Sequence, residues 1–206
     1  MPASVQMLSF GAVQSRSFAS WSMAFVGRSR EGQQLFAHIG EETGFKGTRY
    51  QVSSCGGLAF DDDDTLTVVW SADVGAKANV VYAARYDIDQ KKWQGLGGGN
   101  IGERATSAGV AIDDQDRLYV VTYTPGGSYG GGATTRVFRL TGSIWNLVGS
   151  ELPNTSSPVI ATHDGNVHLA LRDNTSGEIH ILRLQGNDWQ TLPSPGRGDS
   201  PTLDFT

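Results

Sequence analysis

The feature that most constrains this chain is a set of three residue markers that keep step along it. Serine opens a short apolar segment at Ser54, Ser107, Ser157 and Ser200. Arginine recurs at Arg85, Arg139 and Arg183, and tryptophan follows it at Trp93, Trp145 and Trp189. Internal self-similarity at a fixed period is the signature of a repeat architecture, in which one unit cannot bury its own apolar faces and neighbours do it instead. The period here is roughly 45 to 50 residues, which suits one four-stranded sheet per unit.

The clearest copy runs from Ser107. Ser107-Ala108-Gly109-Val110-Ala111-Ile112 reads as a strand, Asp113-Asp114-Gln115-Asp116 as a turn, and Leu118 to Tyr123, rich in β-branched and aromatic residues, as a second strand. A glycine-rich connection from Gly126 to Gly132 leads to a third strand, Arg136 to Leu140, and a fourth, Ile144 to Val148. The same order recurs before it, in Leu58 to Phe60, Leu66 to Trp70, Val80 to Tyr86 and Trp93 to Leu96. It recurs after it in Ser157 to Ala161, Val167 to Leu171, Ile179 to Leu184 and Trp189 to Leu192. The 27 glycines and the shortage of long Ala/Leu/Glu/Lys stretches agree with short strands and turns rather than helices.

These repeats predict an all-β chain folded as one small β-propeller of about four or five four-stranded antiparallel blades. Radial stacking buries both faces of each sheet and leaves only short, protected edges. The expected units are an irregular first one over residues 1–53, repeats over 54–106, 107–156 and 157–199, and a closing strand over 200–206. In the first unit, Gln6 to Leu8 resembles a fourth strand, Trp21 to Phe25 a first, Leu35 to Ile39 a second, and Arg49-Tyr50 a third. The loose ends leave three closures open: an irregular ring, a fragment of a larger propeller, or a homo-oligomer that completes the ring. A β-sandwich is the alternative fold, but it gives no reason for three markers to stay in register.

Composition removes several functions. The net charge is −5 with no basic stripe, which argues against nucleic acid. The single cysteine, Cys55, excludes an internal disulfide or a cysteine-rich zinc site and reads as a small buried hydrophobe. The first residues lack a basic segment followed by an apolar run, and no stretch reaches the length of a membrane helix. The expectation is a soluble protein without a membrane span, cytoplasmic or secreted without a conventional leader. Asn154-Thr155-Ser156 and Asn174-Thr175-Ser176 fit the glycosylation sequon, which matters only in a secreted chain.

No sequence pattern demands catalysis, a cofactor or a metal. Asp61-Asp62-Asp63-Asp64 lacks the spaced ligands of a calcium loop and shares its place with the other turns of the repeat. The glycine-rich segments lack the ending of a phosphate loop, and His38, His163, His168 and His180 include no helical zinc pair. The repeated tryptophans and arginines read as contacts between units. The irregular residues at the ends of second strands are the candidate ligand-binding set: Trp70, Tyr123 and Arg172, with Asp73, Asp173 and His38 beside them. Strand ends and loops are where a rigid scaffold carries function, and an aromatic platform beside Arg and Asp suits a sugar.

The run Asn166 to Asp173, then Gly177-Glu178-Ile179, then Gly186-Asn187-Asp188-Trp189 resembles a blade of the β-propeller lectins, such as the fungal fucose-binding lectins. The resemblance implies a propeller that binds glycans or glycoproteins without catalysis. The strand positions where those lectins place an Arg and a Glu hold His168 and Ile181 here, so it does not extend to fucose. Two further functions remain open. One is a sialidase- or glycosidase-like enzyme, which needs converging carboxylates, with Asp73, Asp87, Glu103 and Asp173 as contributors. The other is a protein-interaction scaffold.

Overall fold

The computed structural model describes residues 23–28, 34–39 and 50–205, apart from 64, 75–76, 88, 91, 100, 102–104, 106 and 128–131. The expected strands Gln6 to Leu8 and the start of Trp21 to Phe25 lie outside the described residues. Strands β1 (Met23–Arg28) and β2 (Gln34–Ile39) pair as an antiparallel hairpin. Three antiparallel meanders follow. The first joins β3 (Tyr50–Phe60), β4 (Leu66–Val74), β5 (Lys77–Asp87) and β6 (Lys92–Gly95). The second joins β7 (Ser107–Ile112), β8 (Leu118–Thr124), β9 (Thr134–Thr141) and β10 (Ile144–Leu147), with β11 (Leu152–Pro153) also on β9. The third joins β12 (Thr155–His163), β13 (Asn166–Asp173), β14 (Glu178–Gln185) and β15 (Asp188–Arg197).

The pairing register shows that the repeat is structural. Arg85, Arg139 and Arg183 stand opposite Thr67, Tyr119 and His168 on the neighbouring second strand. Trp93, Trp145 and Trp189 stand opposite Tyr86, Leu140 and Leu184, the residues that follow those arginines. The alternation of a strand then sorts the apolar residues onto two faces. Val69, Val81 and Ala83 of the first sheet meet Val120 of the second, with Ile101 and Ala105 filling the seam. Tyr119, Val121 and Val137 on the second sheet's other face meet Val167, Leu169, Leu171 and Leu182 of the third. The sheets therefore stack face to face in chain order, as blades of a small all-β propeller.

The first strands of the blades lie side by side, β3 against β7 and β7 against β12. Glycine permits this approach. A Cβ on Gly109 would stand 3.0 Å from Val121 and 3.5 Å from Ile160. Thr162 Oγ1 ties the second pair of strands by donating to the Ile112 carbonyl at 2.7 Å.

The outer tryptophans lock neighbouring blades. A Cβ on Gly97 would lie 1.9 Å from Trp145 Nε1, and one on Gly149 would lie 2.3 Å from Trp189 Nε1. Both glycines take positive φ, 59° and 70°. Each falls four residues after the tryptophan of its own sheet, and the next sheet's indole lies across it. The indole nitrogens of Trp145 and Trp189 are buried there without a hydrogen-bond partner. On the third sheet the position four residues after Trp189 is Pro193.

Three local expectations are corrected. Tyr50 does not end a third strand of the first unit; it opens β3 opposite Val74, and the strand continues past Ser54 through a register slip between Val52 and Ser54. Residues 200–205 form no strand, although Phe205 stacks on His163 at 4.7 Å and packs against His168 at 4.9 Å. The acidic turns are not simply solvated. Asp61 and Asp113 are only 7% and 5% exposed and cap their own turns. Asp61 Oδ1 accepts from the amides of Asp63 and Thr65, and Asp113 Oδ1 from those of Gln115 and Arg117. Asp113 Oδ2 also takes Arg117 Nε at 2.6 Å. This bond raises the pKa of Arg117, while burial raises that of Tyr119 beside it.

Candidate functional site

In each complete sheet the loop after the second strand opens at the same end of the blade, and Asp73, Tyr123, Arg172 and Asp173 fall at or near that end, while His38 lies on the separate β1–β2 hairpin. Asp73 stands opposite Gln51 near the end of β4, Tyr123 opposite Ser107 and Thr135, and Arg172 opposite Ser156 and Ile179. His38 is the penultimate residue of β2, opposite Ala24.

The register separates Trp70 from this group. Counting from the arginine partners Thr67, Tyr119 and His168, the equivalents of Tyr123 and Arg172 in the first sheet is Ser71, one residue beyond Trp70. A step of one residue turns a side chain to the opposite face. Trp70 is 4% exposed, stacks on Tyr82 at 5.7 Å and belongs to the core with Leu66, Val68 and Val80. Its ring offers packing to its own sheet rather than an open platform. Tyr123 and Arg172 are half-buried; by strand alternation Tyr123 lies on the face toward the third sheet and Arg172 on the third sheet's face away from the second.

The third sheet carries the densest polar arrangement at this end. Asn174 Oδ1 accepts from Ser156 Oγ at 2.6 Å and from Arg172 Nη1 at 3.1 Å. The Asn174 amide donates to the Asn154 carbonyl at 2.9 Å, and Asn154 Nδ2 donates to Thr175 Oγ1. Asp173 Oδ1 accepts from the amides of Thr175 and Ser176 and from Ser176 Oγ. Those bonds from Ser176 hold the Asp173 carboxyl below its ordinary pKa. Asp173 thus shapes the loop that presents Arg172 and Asn174.

Two of the four described non-glycine residues with positive φ lie beside these groups. Asn154 and Ser157 take φ of 56° and 52°, unusual for non-glycine residues, and the pairing of β12 with β13 slips between Ser156 and Val159. Such distortions recur next to functional surfaces, where they re-aim side chains. Sequence reasoning missed Ser156, Asn174 and Asn154. The signal was present in the twin Asn-Thr-Ser triplets, which the fold brings into contact.

The carboxylates considered for catalysis do not gather among the described side chains. Asp87 accepts from the Gln90 amide at 2.8 Å and from Gln94 Nε2 at 2.7 Å, closing its own turn. Glu103 lies outside the described residues, as does the side chain of Asp73. Among the described residues no group of three His, Cys, Asp or Glu side chains could hold a metal ion. No described helix is long and apolar enough to cross a membrane.

No family model and no curated protein sequence matches the chain. Solved structures do match it in backbone. A Hadza microbial sialidase superposes with a TM-score of 0.59 at 13% identity, covering 84% of this chain and 40% of that one. An α-L-arabinanase from Penicillium chrysogenum complexed with arabinobiose gives 0.52 at 16% identity, covering 92% and 60%. The GH43_1 enzyme from Xanthomonas citri complexed with xylose gives 0.52 at 10% identity, covering 92% and 72%. The chain therefore spans well under half the length of the sialidase. What it shares with these β-propellers is the fold.

Proposed function

We propose that this protein is a carbohydrate-recognising propeller whose sugar-binding surface lies where the second strands end. The supporting observation is the convergence, at that end of the third sheet, of a guanidinium, an amide and a hydroxyl in one bonded cluster: Arg172, Asn174 and Ser156. Planar donors and acceptors held in fixed geometry match the hydroxyl pattern of a sugar, and Tyr123 supplies an aromatic ring in the equivalent place one sheet earlier. The shared backbone with structures that process or hold sugars of unlike chemistry agrees with this reading. Asp73, Asp173 and His38 are proposed as supporting polar groups from their places near the ends of second strands.

Glycan cleavage is the second reading, favoured because the structural neighbours are enzymes. It requires two carboxyl groups about 5–5.5 Å apart for retention or about 6.5–9.5 Å apart for inversion. Asp73, Asp87, Glu103 and Asp173 are the carboxylates the sequence offers for that role. A glycan array probed with the full chain tests the first reading, and a panel of chromogenic glycosides and uronide polymers tests the second. Array binding lost in Asn174→Ala, without turnover of any panel member, supports recognition alone. Turnover abolished by Asp73→Asn moves the protein to the enzymes. A clean array and a silent panel refute both.

A further inference from the structure

We infer that the sugar recognised at the third sheet is acidic, and that Asp199 occupies the place of its carboxylate; this deepens the glycan-binding reading and rests on it. Arg172 uses Nη1 to hold Asn174, which leaves the Nε and Nη2 edge of the guanidinium. Asp199 Oδ1 approaches Nε at 3.5 Å, yet Nε makes no hydrogen bond. The contact is an ion pair without the alignment of a bond. Arg172 is 29% exposed, whereas the Asp199 side chain is 96% exposed, so water competes for it almost fully.

The same molecule shows what a satisfied arginine edge looks like. Arg136 grips Glu151 through Nε at 2.7 Å and Nη2 at 3.2 Å, the two-point fork that carboxylates favour. Arg172 has the corresponding edge beside a bonded Asn and Ser, its buried Nε met by a loosely held carboxylate from the segment after β15 and its Nη2 lying near Gly177. A sugar carboxylate bonding Nε and Nη2 would displace Asp199 at little cost, while the ring hydroxyls meet Asn174 and Ser156. The ligand class is therefore a carboxylate-bearing sugar, either a uronic acid or a terminal nine-carbon keto-acid sugar.

The test measures binding by calorimetry with four probes: a glucuronic-acid oligosaccharide, its methyl ester, sialyllactose and a neutral xylo-oligosaccharide. The expected result is at least tenfold preference for one acidic probe over the neutral ones, the preferred acid identifying the source. Asp199→Asn should tighten acidic binding at least threefold and leave thermal stability unchanged. Arg172→Lys, which keeps the charge and loses the fork, should erase the preference. Equal binding of acid and ester, or an Asp199→Asn variant with unchanged affinity, overturns the inference and leaves neutral glycan recognition standing. Absence of binding to all four probes by both the parent chain and Asp199→Asn overturns the inference and the recognition reading together.

Discussion

Replacing Gly149 with alanine probes the lock between the second and third blades. The added Cβ would stand 2.3 Å from Trp189 Nε1, 2.6 Å from Cδ1 and 3.0 Å from Cε2. Ordinary contacts begin near 3.4 Å, so the indole must retreat by about 1.1 Å from a packed seam (3.4 − 2.3). Overpacking of this kind costs about 1–3 kcal/mol. The positive φ of 70° adds about 1–2 kcal/mol for any residue bearing a Cβ. Gly142 is the internal control: its φ is 60°, and a Cβ there would meet nothing within 4 Å. Gly142→Ala carries the backbone cost alone, and the loss of unfolded-state freedom is common to both variants and cancels. Gly149→Ala is therefore expected to be about 1–3 kcal/mol less stable than Gly142→Ala, a further drop of about 2–12 °C in Tm for a chain of this size. Thermal unfolding followed by near-ultraviolet circular dichroism reads both. Equal Tm values, within the equivalent of about 0.5 kcal/mol, would refute the reasoning, because they would mean that the indole does not rest on the glycine.

Three further outcomes follow from the geometry. Asp113→Ala should cost about 2–4 kcal/mol in denaturant unfolding, since it strips the Arg117 guanidinium and two turn amides of their acceptor, and Asp114→Ala should cost under about 0.5 kcal/mol. Burial holds the His168 pKa below its ordinary value. A depressed folded pKa means that the associated stability is whole above the unfolded value of about 6.5 and is lost as pH falls through the folded one. Stability measured at pH 7.5 and 5.5 should thus fall more steeply in the parent chain than in His168→Gln. Glu151→Gln should change stability by less than about 1 kcal/mol despite its two-point bond to Arg136, because the pair is solvated; a larger loss in unfolding experiments would mark it as part of the seam.

The blade pattern was legible because the arginine and tryptophan markers keep one pairing position in every complete sheet, whereas the serines do not: Ser54 and Ser107 pair with the second strand, Ser157 falls in a register slip and Ser200 lies in no strand. Trp145 and Trp189 fill the seams, the arginines sit opposite one second-strand position, and neither job depends on loop length. The ligand surface was harder to read. Trp70 looked equivalent to Tyr123 and Arg172 because all three close a hydrophobic run. Strand alternation makes a single-residue offset decisive, and only the pairing with Thr67, Tyr119 and His168 fixes the count. Tyr50 was misplaced for a related reason: a strand's beginning has no marker when no turn precedes it in the pattern. Asn154 and Asn174 escaped because their contact joins residues 20 positions apart across a loop, which no local periodicity reports. The burial of Asp61 and Asp113 was hidden by exposed neighbours of the same type.

The proline at position 193 sets the third sheet apart from the two before it. Its ring fixes φ near −65°, so it cannot make the left-handed step that Gly97 and Gly149 use to admit an indole. A tryptophan laid across the third sheet as Trp145 lies on Gly97 would therefore meet a pyrrolidine ring in place of a bare backbone.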